Sequence, residues 1–382
     1  MAFPRVLILT SSTGGGHNAR AYALQSWIKQ IHPDAEIMIY KVLEQTHPLY
    51  AFGVSLYNTI QRRAPILHQI YFHFLEIAAL HRSPAALIGK KRFLSVLTDF
   101  QPDIIVSVHA HTNHAYFALS RKALRVPPLC VTYCGEFTGG YGFSRHWVNP
   151  DADAFIGATS ETCSAALHHG MNPQKIFHGG FLLDPRLSRP PSKDRDTMLR
   201  SVQLDPDKCT IIVPASGSGA QQHLKILKAL LRVSSPLQVV FFCGQDTALI
   251  RKISQSSTNE LRLRAFPYTT ELPDWLRAAD VIITRPGSAT TSESILAGCP
   301  IVHHAFGGLM PQESVTLRYC LAHKLSFYVK NISELSECIA RLSCDQALLE
   351  ATRKSHEEHS FWNVPALIQY LLELWQRRRV RS

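Results

Sequence analysis

The 382-residue chain has no run of about 18 consecutive apolar residues, so its sequence offers no membrane-spanning helix. Its nine cysteines contain no C-x-x-C pair, and the closest two are Cys130 and Cys134. That spacing excludes a zinc ribbon and a disulfide framework and fits the free thiols of a reducing compartment. Charged residues make up only 18% against 46% hydrophobic residues, which excludes a disordered chain. Met1 to Arg5 carries no basic segment leading into an apolar one, and Val6 to Leu9 is too short for a signal-peptide core, so no signal peptide is expected. No motif of a common nucleic-acid module is present.

What is present begins with size and charge. The length suits two domains of about 150–200 residues each. The formal charge of +11 favours anionic partners, such as a phosphorylated substrate or an anionic bilayer. Local clusters stand at Arg62-Arg63, Lys90-Lys91-Arg92 and Arg377-Arg378-Arg379.

Short apolar runs with bounding turns read as buried parallel strands at Val6 to Leu9, Ile37 to Tyr40, Ile104 to Val108, Leu129 to Tyr133 and Ala154 to Ile156. The same grammar restarts at Ile211 to Val213, Val239 to Phe242, Leu263 to Phe266, Val281 to Ile283 and Ile301 to Val302. Helical periodicity lies between them, as at Leu24, Trp27, Ile28 and Ile31, at Leu224 to Leu231 and at Leu272 to Ala279. Alternation of this kind predicts an α/β protein with two doubly wound, Rossmann-like domains facing a cleft. The expected division is residues 1–185, a Pro-rich linker at 186–198, a second domain at 199–355, and a helical tail at 356–382 that packs back on the first domain.

Five constellations can carry chemistry. Thr13-Gly14-Gly15-Gly16-His17 joins a strand to a helix, where glycines admit a ligand and the helix start offers N–H groups to an anion. It is neither a G-x-G-x-x-G fingerprint nor a P-loop. His17 reads equally as a general base or as a capping histidine. Arg285-Pro286-Gly287-Ser288-Ala289-Thr290-Thr291-Ser292-Glu293 sets hydroxyls around a helix start suited to a diphosphate. Glu293 there reads as a ribose acceptor or as a capping glutamate. Gln312-Glu313 offers paired polar groups to a sugar, or a solvated helix start. His109-x-His111-x-x-His114 has a metal-like spacing without a companion motif, so it reads as cleft lining or structure. Finally, Ile66, Ile70, Phe74 and Ile77, widened by Leu67, Tyr71 and Ala78, form an apolar stripe with basic flanks. It reads as a bilayer-surface helix or as a core helix.

Together these residues resemble the monogalactosyldiacylglycerol synthase and processive diacylglycerol glucosyltransferase family, of glycosyltransferase family 28 type. The match runs through Ser12 to His17, Pro102 to His109 and Gly179 to Pro185, and is most specific from Ala279 to Pro300. The resemblance implies a GT-B fold and an inverting, metal-independent transfer from a UDP-sugar to a lipid hydroxyl. It makes His17 the base and places Gly15 and Gly16 among the residues that bind the nucleotide-sugar and its phosphates. Gly217, Ser218, Gly287, Ser288, Thr290, Thr291 and Ser292 then surround the diphosphate. The Phe266-Pro267 backbone meets uracil, Glu293 holds the ribose, and Gln312 with Glu313 holds the hexose. Glu136 assists or replaces His17, in a stretch, Thr132 to Glu136, that departs from the family pattern. The implied partners are a UDP-sugar, a lipid acceptor and an anionic membrane surface, without nucleic acid. The implied location is the cytoplasmic face of a bacterial cell membrane. The rival readings are a UDP-N-acetylglucosamine-using transferase or epimerase of the same fold, and a non-catalytic nucleotide-sugar binder.

Overall fold

A computed structural model describes residues 3–63, 67–78, 80–215, 220–359 and 362–381. The chain forms two compact units, Met1–Pro185 with Phe361–Ser382, and Arg186–Ser360.

The first unit is built on six parallel strands: β1 (Val6–Thr10), β2 (Ile37–Lys41), β3 (Ile104–Ser107), β4 (Leu129–Cys134), β5 (Ala154–Gly157) and β6 (Ile176–His178), in the order β2-β1-β3-β4-β5-β6. β1, β3, β4 and β5 are buried along their length, which is why they read as unbroken apolar runs rather than as alternation. Leu24, Trp27 and Ile28 of the helix Gly16–Ile31 pack into the core beside them. The C-terminal helix Val364–Arg381 completes that core with Val364, Leu367, Ile368, Leu371 and Trp375.

The second unit repeats the plan with β7 (Thr210–Val213), β8 (Leu237–Phe242), β9 (Leu261–Phe266), β10 (Val281–Thr284), β11 (Ile301–His304) and β12 (Ser326–Val329), in the order β12-β11-β10-β7-β8-β9. Its core gathers Ile211, Phe241, Leu263, Ile283 and Val302 with Leu227, Leu230 and Ile339 from flanking helices. The chain runs outward from β7 on one side and from β10 on the other. A doubly wound sheet of that order opens its crevice at the carboxyl ends of the strands where the direction reverses.

Residues 186–198 are held within the second unit instead of forming a free connector. Arg186 donates to the Thr270 carbonyl at 2.7 Å, and Arg195 pairs with Asp280 at 2.7 Å. Proline and serine content suggested a linker there, but the arginines find partners about 85 residues away, beyond the reach of local reasoning. The helix Gln346–Glu358 also belongs to the second unit, so the return to the first unit starts later than residue 356. All nine cysteines are free thiols.

Candidate active site

The glycine turn after β1 is shaped from outside its own segment. Gly14 has φ +72°, a conformation that favours glycine. Its N–H is held by Asn58 Oδ1 at 3.0 Å, and Asn58 Nδ2 donates to the Ser12 carbonyl at 2.9 Å. The Ser12 N–H donates to Glu44. Gly15 is the N-cap of the following helix, without any side-chain cap, and a Cβ added there meets nothing within 4 Å. The helix start is therefore open to a ligand's approach. Asn58 and Glu44 carry no local signature, so sequence reasoning missed them.

His17 is not the cap. Its Nδ1 lies 2.9 Å from the Val108 carbonyl, which can only accept, so Nδ1 carries the proton and Nε2 carries the lone pair. The ring packs against His109 at 4.4 Å and Trp147 at 5.7 Å between centroids. Burial is the main cause that lowers its pKa to about 4, against the Val108 hydrogen bond and with help from the Arg20 charge. The result is a neutral imidazole in one fixed tautomer, a form able to accept a proton through Nε2.

The neighbouring His109 is fixed with equal definition. Its Nδ1 accepts the His111 N–H at 3.1 Å, so its Nε2 donates to Thr13 Oγ1, 2.7 Å away. The H-x-H motif thus serves structure. His111 Nδ1 sits 3.0 Å from the His81 ring, His81 packs on His146 at 4.2 Å, and His114 bonds the His146 carbonyl at 3.2 Å. Burial lowers His111 and His114 to about 4 and His146 to about 3. Among the described residues no group of three His, Cys, Asp or Glu has a metal-holding arrangement. Glu76 ties this cluster to its own helix, Leu67–Ala78, by accepting from Ser144 and from the Arg145 N–H.

Glu136 follows β4. Burial raises its carboxyl to about 7, partly offset by Arg20. Arg20, itself buried, donates to the Leu182 carbonyl at 2.7 Å and lies over the Phe181 ring at 5.2 Å. One guanidinium therefore bears electrostatically on both His17 and Glu136.

In the second unit β10 leads through Arg285-Pro286-Gly287 into the helix Ser288–Leu296. Gly287 is the exposed N-cap, and a Cβ there meets nothing within 4 Å. Ser288, Thr290 and Glu293 are half-buried near this opening. Thr291 and Ser292 are not: both are buried. Thr291 Oγ1 lies 3.1 Å from His303 Nε2, and Ser292 Oγ donates back to the Ser288 and Ala289 carbonyls at 2.8 Å each. Helical rotation turns these two hydroxyls inward, which a run of hydroxyl residues does not disclose.

Glu313 is likewise engaged inside the protein. Arg285 Nε and Nη2 donate to its two oxygens at 2.6 and 2.5 Å, and the Met310 N–H donates at 3.0 Å. The same guanidinium holds the Phe306 carbonyl at 3.0 Å and the Gly308 carbonyl at 2.7 Å. This buried, bidentate pair clamps the loop between β11 and the helix Pro311–Ala322. Glu313 is thus held by Arg285, a pairing that a separation of 28 residues concealed in the sequence. Gln312 is half-buried beside it. At the end of β9 the Phe266 carbonyl accepts the Cys243 N–H at 2.8 Å, and Pro267 is exposed. Gly217 and Ser218 lie outside the described residues.

Residues 17–181 match the family model of monogalactosyldiacylglycerol (MGDG) synthase, and residues 215–307 match the glycosyltransferase family 28 C-terminal domain. The two matches together take in most of the chain, which is similar to glycosyltransferases of this family in both of its units. A probable monogalactosyldiacylglycerol synthase 3 of Oryza sativa subsp. japonica is 24% identical, over 88% of this chain and 67% of that protein. The processive diacylglycerol beta-glucosyltransferase of Bacillus subtilis (strain 168) is 23% identical, over 92% of this chain and 90% of its own. Among solved structures, Anabaena HepE in complex with UDP-glucose superposes with a TM-score of 0.57 at 13% identity, covering 98% of this chain and all of that one. The fold is GT-B, and the glycosyltransferase has the two doubly wound parallel sheets that its sequence led us to expect, each with one strand more than the five read from apolar runs.

Proposed function

We propose that this glycosyltransferase moves a hexosyl group from a UDP-hexose to the hydroxyl of diacylglycerol or a similar lipid alcohol, with inversion and without a resident cation. The observation that carries the reading is the single tautomer of His17, with Nδ1–H on the Val108 carbonyl and a basic Nε2 beside an open glycine turn. The acceptor O–H gives its proton to Nε2. The oxygen attacks C1 of the hexose, the bond from C1 to the phosphate oxygen breaks, and UDP departs. The helix start at Gly287, with Ser288 and Thr290, offers N–H and O–H groups to the leaving diphosphate. Glu293 takes the ribose hydroxyls and Gln312 the hexose, on a loop held by the Arg285–Glu313 clamp.

The lipid side rests on exposed apolar side chains. Ile70, Phe74 and Ile77 on the helix Leu67–Ala78 are 69%, 58% and 80% exposed, and Leu49, Phe52 and Leu56 on the helix Pro48–Arg63 are exposed at i, i+3, i+7 spacing. The core-helix reading fails for these three stripe residues; Ile66 lies outside the described residues. Lys90, Lys91 and Arg92 are exposed after Ile88. Apolar side chains beside lysines and arginines suit an anionic bilayer surface. No helix among the described residues is long and apolar enough to cross a membrane.

Replacing His17 by Ala is expected to abolish transfer while leaving UDP affinity unchanged, because the base touches the acceptor and not the nucleotide. Turnover assays paired with UDP titration calorimetry check this. Wild-type turnover in the variant removes His17 from the reaction.

A further inference from the structure

The carboxyl end of β11 holds a group that the proposed transfer leaves unassigned. His303 and His304 are consecutive in that strand and both are buried. Alternation sends their side chains to opposite faces of the sheet. His303 is satisfied, with Nε2 at 3.1 Å from Thr291 Oγ1 and Nδ1 at 3.0 Å from Ser326 Oγ. His304 is 4% exposed, and its Nδ1 is buried with no hydrogen-bond partner among the described residues. Its ring lies 4.8 Å from that of Phe306. Buried polar atoms in native proteins are nearly always paired, so an unpaired one marks a place for a missing partner.

The charged and titratable groups around His304 indicate the character of that partner. Arg285 stands at the end of β10, and His223 and Lys225 stand at the start of the helix His223–Leu230, which follows β7. His223 Nε2 donates to the Phe242 carbonyl at 2.9 Å, which leaves its Nδ1 unprotonated. The neighbouring carboxylate, Glu313, is bound by Arg285. Tyr328 of β12 feels both Arg285 and Glu313. With Arg285 and Glu313 offsetting each other, Lys225 leaves the surroundings positive. The three strand ends are neighbours in the sheet order β11-β10-β7 and include the point where the winding direction reverses. Burial first, then Arg285, His303, His223 and Lys225, lowers the His304 pKa to about 3, so the ring is neutral and one of its nitrogens is a hydrogen-bond donor.

Building on the donor reading above, we propose that His304 is a further residue of the donor diphosphate site, giving one imidazole N–H to an oxygen of the sugar-bearing phosphate. A neutral, prepositioned donor suits this place. The charge on that phosphate grows as the bond to the sugar breaks, and a fixed N–H stabilises it without surrendering a proton to the leaving group. The adjacent Arg285–Glu313 clamp fixes the loop that begins at Ala305, and so holds the strand end in place.

The test is titration calorimetry of the full chain with UDP and with UMP, which lacks the second phosphate. His304→Ala is expected to weaken UDP by about tenfold and to leave UMP unchanged. His304→Asn, which keeps a side-chain N–H, is expected to recover most of the loss. Unchanged UDP affinity in His304→Ala, equal weakening of UDP and UMP, or an Asn variant as weak as the Ala variant overturns the assignment. Wild-type protein that binds neither nucleotide overturns the donor reading on which it rests. If the Ala variant does not fold, the imidazole 15N resonance missing from His304→Asn decides in the wild type. It must move on addition of UDP and stay in place with UMP, and a resonance indifferent to UDP overturns the assignment.

Discussion

At the scale of single residues, the candidate site fixes which nitrogen holds a proton in two of its imidazoles. A carbonyl at Val108 does this for His17, and a backbone N–H at His111 does it for His109. The two candidate bases then separate by their acidities. His17 sits at about 4 and Glu136 at about 7, both displaced chiefly by burial. A base works only when deprotonated, so activity falls as pH drops through its pKa. With His17 as base, kcat/KM stays flat from pH 8 down to about 5 and falls with a midpoint near 4. A midpoint near 7 assigns the proton to Glu136 instead. The pH-rate profile of UDP release distinguishes the two. His17 was legible because it follows three glycines after a buried strand. Arg285, Asn58 and Arg20 were not legible as site residues, because their partners lie far along the chain. Thr291 and Ser292 show the converse: the composition is right for a diphosphate site, but the helix turns their hydroxyls inward.

At the scale of elements, the ten strands expected from apolar runs are present; eight of them are central, and central parallel strands must be apolar on both faces. The two strands not expected, β6 and β12, each lie at one edge of their sheet, opposite the edge strands β2 and β9, which do carry apolar runs. β6 is only three residues long and partly exposed, so it has no apolar run to announce it. The stripe at residues 66–78 could not be resolved by periodicity, since a core helix and a surface helix share one spacing. Exposure of Ile70, Phe74 and Ile77 decides it for the surface. The consequence is an expected loss of liposome binding in the double variant Phe74→Glu, Ile77→Glu, with UDP affinity unchanged. Co-sedimentation with anionic vesicles measures it, and full binding by the variant moves the membrane contact to another surface. The helix Val364–Arg381 belongs equally to this scale. Leu367→Ala opens a cavity in the first core and is expected to cost about 2–5 kcal/mol, read as a lowered urea midpoint.

At the scale of the whole molecule, each unit has its own parallel sheet and core, and each carries an open helix start after a strand, at Gly15 in the first and Gly287 in the second. The charge of +11 adds a long-range attraction to anionic surfaces that salt screens. Apolar contact is not screened, so raising the salt is expected to weaken association with anionic vesicles without removing it. The central claim is transfer from a UDP-hexose to a lipid hydroxyl. The most direct measurement is release of free UDP from a panel of UDP-sugars, with and without diacylglycerol-containing anionic liposomes, while following lipid products. The account predicts that one UDP-hexose yields UDP only when the liposomes are present, with a glycolipid appearing in equal amount. UDP released at the same rate without liposomes, or a converted sugar nucleotide with no glycolipid, contradicts it.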